Sequence, residues 1–186
     1  TTFYYDFANQ HLWDKNTFVQ SQYKKEFNRK WAFQASAKWN WSYQRYLNPD
    51  YASSAGKEDN SYYQQEYYLS ASALYRVLDN LSFSLSTDGS INTLNANLTD
   101  FAYPTRYSWL TALAGKYVNE WLTLAASALA TVTNEKVQQG TKADNHRRLT
   151  PYVSASFKPF RSEEFRIRFF YKDIFRLPNF NDLYYS

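Results

Sequence analysis

The residue types that most often carry out chemistry are scarce in this sequence. It contains no cysteine and only two histidines, His11 and His146. The nucleophile elbow GxSxG, the phosphate-binding P-loop and the zinc-binding HExxH pattern do not occur in it. Because no nucleophile, base or cofactor motif can be assembled from the residues, we predict that the protein is not an enzyme and uses no cofactor.

Ion or haem ligation would have to come from residues in predicted loops. Both histidines fall there, and one imidazole could ligate a haem, although a solvated loop histidine is the simpler interpretation. Four aspartates in or near loops carry oxygen atoms that suit Ca²⁺, namely Asp88, Asp100, Asp144 and Asp182. They are widely spaced and do not match an EF-hand, so we predict no metal site.

Aromatic side chains in or beside the predicted loops are the other candidates for ligand contact. The rings of Trp13, Tyr51 and Tyr103 could stack on a ligand, and packing within the loops is the simpler interpretation of each. Together with His11 and His146 they form the set of predicted ligand-binding residues.

The elements that would position these residues are β-strands, because apolar side chains recur at every second position. Between Trp31 and Tyr43 the odd positions are apolar, and the even positions after Ala32 are polar. The same alternation recurs in residues 62–77, 81–86, 106–117, 122–132, 152–158 and 165–172. Each strand is therefore predicted to have one apolar face and one polar face.

Charged and aromatic residues follow this alternation in a way that is typical of a membrane barrel. The charged residues on polar positions are Lys38, Glu66, Arg76, Lys116, Arg166, Arg168 and Lys172. A Lys or Arg on the lipid side at the midplane of a barrel costs about 2–4 kcal/mol. Trp31 and Trp41 stand near the ends of their strand around small Ala35 and Ala37, as in aromatic girdles. A soluble sheet with one wet face would separate its charges in the same way.

Tight turns alternate with long polar connections along the chain. The predicted tight turns are Asn28-Arg29, Asp79-Asn80, Asn119-Glu120 and a longer one at 159–164, and the predicted long loops are 47–60, 88–104 and 133–147. This alternation is typical of outer-membrane barrels, with tight turns facing the periplasm. We predict an all-β, antiparallel up-and-down transmembrane barrel segment of about nine strands.

Three of the predicted strands need separate mention. The first lies near Thr2–Phe7 and the last covers Phe165–Phe175. The strand near Thr17–Phe27 places Lys25 on its apolar positions, which we assign to the membrane interface.

The final residues resemble a signature of TonB-dependent outer-membrane receptors. In that family a barrel strand, here FRIRFFYKDIFR, runs into a segment of the form FRxPxxxxLYY. The matching residues are Phe175, Arg176, Pro178, Leu183, Tyr184 and Tyr185. The preceding hairpin RLTPYVSASFKPF is similar to the family's run into this motif. The specific resemblance covers residues 148–186, and its style is most similar to receptors from the Bacteroidetes. The motif's role is predicted to be mainly structural, since Pro178 cannot donate to a strand ladder.

The resemblance implies that this chain is part of a larger transport protein. Residues 1–186 would form part of one 22-stranded plugged barrel in the bacterial outer membrane, with the plug and the closing strands outside this sequence. Such receptors take up a scarce large ligand, such as a ferric siderophore, haem, cobalamin or an oligomeric nutrient, using energy from the TonB complex through the plug. A surface lipoprotein is a further possible partner, and Arg166 and Arg168 could contact plug carboxylates.

Two other functions stay open at this point. The chain could belong to a porin or adhesin barrel without active transport, or to a soluble secreted all-β binding module whose aromatic positions are its core. The net charge of +4 comes from basic residues scattered among acids, which predicts no nucleic-acid partner.

Overall fold

The computed structural model describes residues 9–50, 56–159 and 165–176, together with Phe180 and Leu183. They form one antiparallel sheet in which each strand pairs with its sequence neighbours, in the order β1 to β8. The strands are β1 (His11–Glu26), β2 (Trp31–Asn48), β3 (Glu58–Leu78), β4 (Leu81–Ala96), β5 (Thr105–Val118), β6 (Leu122–Lys136), β7 (His146–Phe157) and β8 (Ile167–Lys172). This confirms the all-β, up-and-down prediction for eight strands. In the described residues the sheet is not closed, and β1 and β8 are its edges.

The three shortest predicted turns lie at the predicted residues, and asparagine side chains stabilise two of them by hydrogen bonds. The Asn28 side-chain oxygen accepts hydrogen bonds from the backbone N–H groups of Lys30 and Trp31 at 2.8 and 2.9 Å. The Asn119 oxygen does the same for Trp121 and Leu122. These contacts mimic a backbone turn, which is why asparagine is frequent in such positions. We call this side of the sheet the tight-turn end and the opposite side the long-loop end.

Several strands extend further toward the long-loop end than predicted. The loop prediction from Asp88 was wrong for residues 88–96, which continue β4 and pair with β3 and β5. The start predicted near Thr17 was also too late, because β1 begins at His11. In these extensions a few apolar residues, such as Ile91 and Leu94, fall on opposite faces among polar ones, so apolar periodicity gives no signal there, while the backbone ladder still satisfies its hydrogen bonds.

The two ends of the prediction fall partly outside the described residues. The strand near Thr2–Phe7 lies outside them, as does most of the turn at 159–164. The last predicted strand, Phe165–Phe175, is shorter in the structure and covers Ile167–Lys172.

The register preserves the alternation across the whole sheet. Odd positions of β1 to β5, β7 and β8 pair with one another and with even positions of β6. We call the surface formed by these positions the outer face, and the opposite surface the inner face. Large apolar side chains cover the outer face and are exposed, for example Leu69 at 66% and Leu113 at 58%.

The buried core lies on the inner face at the long-loop end. Its members are Tyr62, Leu94, Ala96, Phe101 and Phe180. Among the described residues, no helix has the length and apolar character of a membrane span.

Candidate functional site

Two rows of aromatic rings cross the outer face. The row near the long-loop end contains Trp39, Trp41, Tyr43, Tyr63, Tyr67, Tyr107 and Trp109, and the row near the tight-turn end contains Trp31, Tyr75, Phe83, Tyr117 and Phe157. Neighbouring strands bring rings of one row together: Trp31 stacks on Tyr75 at 4.3 Å and Tyr43 meets Tyr63 at 4.8 Å. Such cross-strand aromatic pairs stabilise a sheet.

Two glycines lie beneath rings of these rows. A β-carbon at Gly89 would lie 3.3 Å from the Trp109 indole, and one at Gly115 would lie 3.1 Å from the Phe83 ring. Each ring therefore lies across the bare backbone of the adjacent strand, as glycine permits.

The separation of the rows matches the thickness of a barrel's apolar band. Trp31 and Trp41 are ten residues apart on β2, which is about 33 Å along a strand. A strand tilted by roughly 40° would span about 25 Å of membrane over that length, which is the height of the apolar band in outer-membrane barrels.

Polar groups between the rows hydrogen-bond to one another. The Trp109 indole N–H donates to the Thr111 hydroxyl at 3.1 Å, and the hydroxyls of Thr111 and Thr87 are 3.2 Å apart. Thr87 also donates to the backbone carbonyl of Leu110 at 3.4 Å. Hydroxyl and indole groups that face an apolar medium need such partners, because an unmade hydrogen bond there is costly.

Charged residues on the outer face lie at or beyond the aromatic rows, except that Lys25 pairs in register with Phe33, one outer-face position inside Trp31. They are Lys15, Lys25, Arg45, Asp59, Lys136 and Arg147. Near the long-loop end the Arg45 guanidinium binds both carboxylate oxygens of Asp59 at 2.7 Å and lies 5.2 Å from the Trp13 ring. From β2 to β8 the band between the rows therefore carries no charge among the described residues.

The charge boundary at the long-loop end runs obliquely across the sheet. On β2 the outer-face cation is Arg45, whereas on β7 it is Arg147, which lies on the register row of Ala37. The boundary therefore moves eight residues toward the tight-turn end over five strands.

The aromatic row at the tight-turn end moves in the same direction. Trp31 shares its register row with Val153, but the ring on β7 is Phe157, four residues further on. For strands about 4.8 Å apart and tilted by roughly 40°, a band level with the membrane would shift by about six residues over five strands. The two observed shifts lie on either side of that value.

The inner face is polar and holds a buried ion pair at the long-loop end. Arg106 of β5 binds the Glu135 carboxylate at 2.9 Å, and their side chains are only 11% and 2% exposed. The Arg106 guanidinium also lies 4.7 Å from the Phe180 ring. A second inner-face pair, Lys38 and Glu66, is 3.4 Å apart and remains more accessible to solvent.

Residues that follow β8 return over this inner face. The Phe175 ring lies 5.8 Å from the His146 ring and 5.1 Å from the Arg148 guanidinium. Arg148 in turn pairs with Asp173 at 3.2 Å. Phe180, which the sequence did not single out, is 5% exposed and packs in the core.

Other residues of the FRxPxxxxLYY motif are exposed or undescribed. Arg176 and Leu183 are exposed. Pro178, Tyr184 and Tyr185 lie outside the described residues.

The structure does not bring the predicted ligand-binding residues together. The loop prediction was wrong for His11 and Trp13, which lie on the outer face of β1 with their rings 5.5 Å apart. It was also wrong for His146, which begins β7 on the inner face. Tyr103 does lie in a loop, and its ring packs edge-on against Phe101 at 5.4 Å. Tyr51 lies outside the described residues.

The candidate calcium and plug-contact residues are also dispersed. Asp88 lies on the inner face of β4 and Asp100 in the following loop. No three His, Asp or Glu side chains in the described part of the chain are grouped so that they could hold a metal ion. Arg168 lies on the inner face of β8.

The candidate functional features of the structure are therefore the outer and inner faces of the sheet. No protein-family model matches the sequence, and no similar curated protein was found for it. A function must therefore be inferred from the two surfaces themselves. From β2 to β8 the outer face has an uncharged apolar band between oblique aromatic rows, and the inner face is polar and partly covered by the chain.

Proposed function

We propose that this chain forms part of the wall of a bacterial outer-membrane β-barrel of the TonB-dependent receptor type. In this proposal the outer face contacts lipid, the inner face lines the lumen, and the whole protein takes up a scarce large ligand with energy from the TonB complex. The observation that carries the proposal is the apolar band of the outer face, which carries no charge from β2 to β8 and whose two borders shift in the same direction across the strands.

Lipid accounts for the outer face better than a protein core does. In the soluble-module alternative, a second layer would have to cover large exposed side chains such as Leu69 and Leu113. The described residues supply that cover only to the inner face, through Phe101 and Phe180. In a bilayer the exposed band needs no such layer, because acyl chains provide it.

Active transport is favoured over a passive pore by the residues that follow β8. Their sequence resembles the receptor signature, and Phe175 and Phe180 pack on the inner face. A segment in this position occupies the lumen of the proposed barrel. That placement suits a barrel whose interior is filled by a plug better than an open channel.

The membrane part of the proposal is tested by site-directed spin labelling of the full-length protein in its native outer membrane. Single cysteines are placed at Leu69 and Leu113 on the outer face, with Ser70 and Ala112 on the inner face as matched neighbours. We expect oxygen, which dissolves in lipid, to speed the spin relaxation of the outer-face labels. A water-soluble nickel complex should do so for the inner-face labels. Nickel access at Leu69 and Leu113 would favour the soluble module.

The transport part needs a separate measurement. Cells that produce the protein and cells that lack it are compared for uptake of labelled ferric siderophores, haem, cobalamin and oligosaccharides. We expect uptake of one of these classes to disappear when the protein, TonB or the proton gradient is removed. Uptake that survives loss of TonB and of the gradient would assign the protein to the passive barrels.

A further inference from the structure

The outer face contains a groove that its aromatic rows alone do not explain. It has a volume of about 490 Å³ and is lined chiefly by Tyr67, Leu69, Gly89, Ile91, Tyr107 and Trp109. This volume lies in the range of small-ligand sites, roughly 300–1,000 Å³. The groove lies where the apolar band meets the aromatic row at the long-loop end. A molecule bound there could contact apolar side chains at one end and polar groups at the other.

At Gly89 the floor of the groove is backbone that the Trp109 ring partly covers, since the ring lies 3.3 Å from the place of a β-carbon. Gly89 sits on one register row between Leu69 and Trp109, and the Trp109 ring leans over it. Ile91 continues the groove toward the long-loop end. The result is a mainly apolar groove bounded by Leu69, Ile91 and the Trp109 ring, and such a lining suits a hydrocarbon chain.

Two cations border the polar end of this groove. The Lys136 ammonium lies 5.7 Å from the centre of the Tyr107 ring, which lines the groove. Arg147 pairs in register with Val132, another lining residue. Both cations are exposed on the outer face.

No carboxylate balances these cations on their own surface. In the described part of β5 to β7, the outer-face positions carry no Asp or Glu. Glu135, the neighbour of Lys136, lies on the inner face and binds Arg106. The pair therefore forms a local positive surface next to a mainly apolar groove.

We propose that this groove binds a membrane lipid with an anionic phosphate headgroup, its acyl chain against Leu69, Ile91 and the Trp109 ring and its phosphate between Lys136 and Arg147. Lys and Arg are the side chains that bind phosphate most readily, and Arg does so with two parallel hydrogen bonds. The occupant is a membrane lipid and not free phosphate, because the greater part of the site is apolar. The proposal rests on the outer face being a lipid-facing wall.

The test uses the full-length protein reconstituted in phosphatidylcholine vesicles with a trace of spin-labelled lipid. The labelled probe is phosphatidylglycerol in one series and phosphatidylcholine in the other. The measured quantity is the fraction of probe whose motion the protein restricts. We expect the anionic probe to be restricted preferentially, and inorganic phosphate in the buffer not to displace it.

Two variants and one control locate the site. Replacing both cations (Lys136→Gln with Arg147→Gln) should lower the preference for the anionic probe by up to roughly 25-fold, the combined effect of two such contacts at a membrane surface. Gly89→Leu adds a side chain where the Trp109 ring now lies, which obstructs the groove, and should reduce restriction of both probes at this site. Lys25→Gln removes an outer-face cation at the tight-turn end and should leave the preference unchanged.

The outcomes separate this inference from the function it rests on. A protein that spans the vesicles but restricts both probes equally, or loses its preference equally with Lys25→Gln, overturns the lipid site alone. A protein that fails to enter vesicles and stays monomeric in buffer overturns the membrane wall and the lipid site together. If Gly89→Leu does not fold, the double charge variant, which alters only exposed side chains, still decides.

Discussion

At the long-loop end the inner face of the sheet is covered by its own chain, whereas the outer face of the same strands is bare. On the inner face of β4 and β5, Leu94 is fully buried and Arg106 lies beneath Phe180. On the outer face of those strands, Ile91 and Trp109 remain exposed. The apolar side chains that cover the sheet, such as Phe180, therefore lie over its polar inner face.

This contrast shows what each face requires. On a polar face that meets water, local cover strengthens the attraction within a buried charge pair, at the cost of the hydration of both charges. An apolar face that meets lipid needs no cover from the protein. Two different media on the two sides of one sheet would produce this difference, and three comparisons between variants test it.

The largest expected effect comes from breaking the covered ion pair. Glu135→Ala leaves the Arg106 guanidinium buried without its carboxylate, and breaking such a pair from one side costs about 3–5 kcal/mol. The free energy of unfolding is measured by urea titration of the full-length protein in vesicles, followed by tryptophan fluorescence. Glu66→Ala removes the more exposed carboxylate beside Lys38 and should cost at most about 1 kcal/mol. Equal losses for the two variants would mean that the inner cover does not shield Arg106.

A charge placed on either face gives the next largest effect. Leu113→Arg puts a cation in the middle of the outer band and should lower the free energy of unfolding by about 2–4 kcal/mol. The neighbouring Ala112→Arg points to the inner face and should change it by roughly 0.5 kcal/mol or less. The same urea titration reads both variants. A larger loss for Ala112→Arg than for Leu113→Arg would reverse the assignment of the faces.

The smallest expected effect concerns the hydroxyl network between the rows. Thr111→Val removes the acceptor of the Trp109 indole N–H and should cost about 1–2 kcal/mol if that group faces lipid. In a Trp109→Phe background the same substitution should cost less, since the donor is already gone. The double-mutant cycle therefore isolates this hydrogen bond. Identical costs in both backgrounds would show that the indole has another partner.

Much of the sheet could be predicted from the sequence because it obeys local rules. Alternating side chains indicate the strands, and asparagines such as Asn28 and Asn119 mark the turns through their own hydrogen bonds. The oblique course of the aromatic rows could not be predicted, since it depends on the register between strands. Within one strand the sequence shows only that Trp31 and Trp41 lie ten residues apart.

The prediction failed where a strand has no single apolar face or where the chain folds back. Residues 88–96 looked like a loop because their few apolar side chains, such as Ile91 and Leu94, fall on opposite faces among polar ones, and the same holds near His11. The burial of the Arg106–Glu135 pair could not be seen, because the Phe180 ring that lies against Arg106 comes from far away in sequence. His11 and His146 were grouped as loop residues, but they lie on opposite faces and on strands far apart in the sheet.

The sequential order of the strands has a consequence for how the sheet is made. Every ladder joins strands that are neighbours along the chain, and three of the seven connections are tight turns. Closing a short connection costs little chain entropy, and folds built from near neighbours assemble fast for their size. We therefore expect the sheet to grow one hairpin at a time, each new strand using the last one as its template. A growing edge of this kind never has to search the chain for a distant partner.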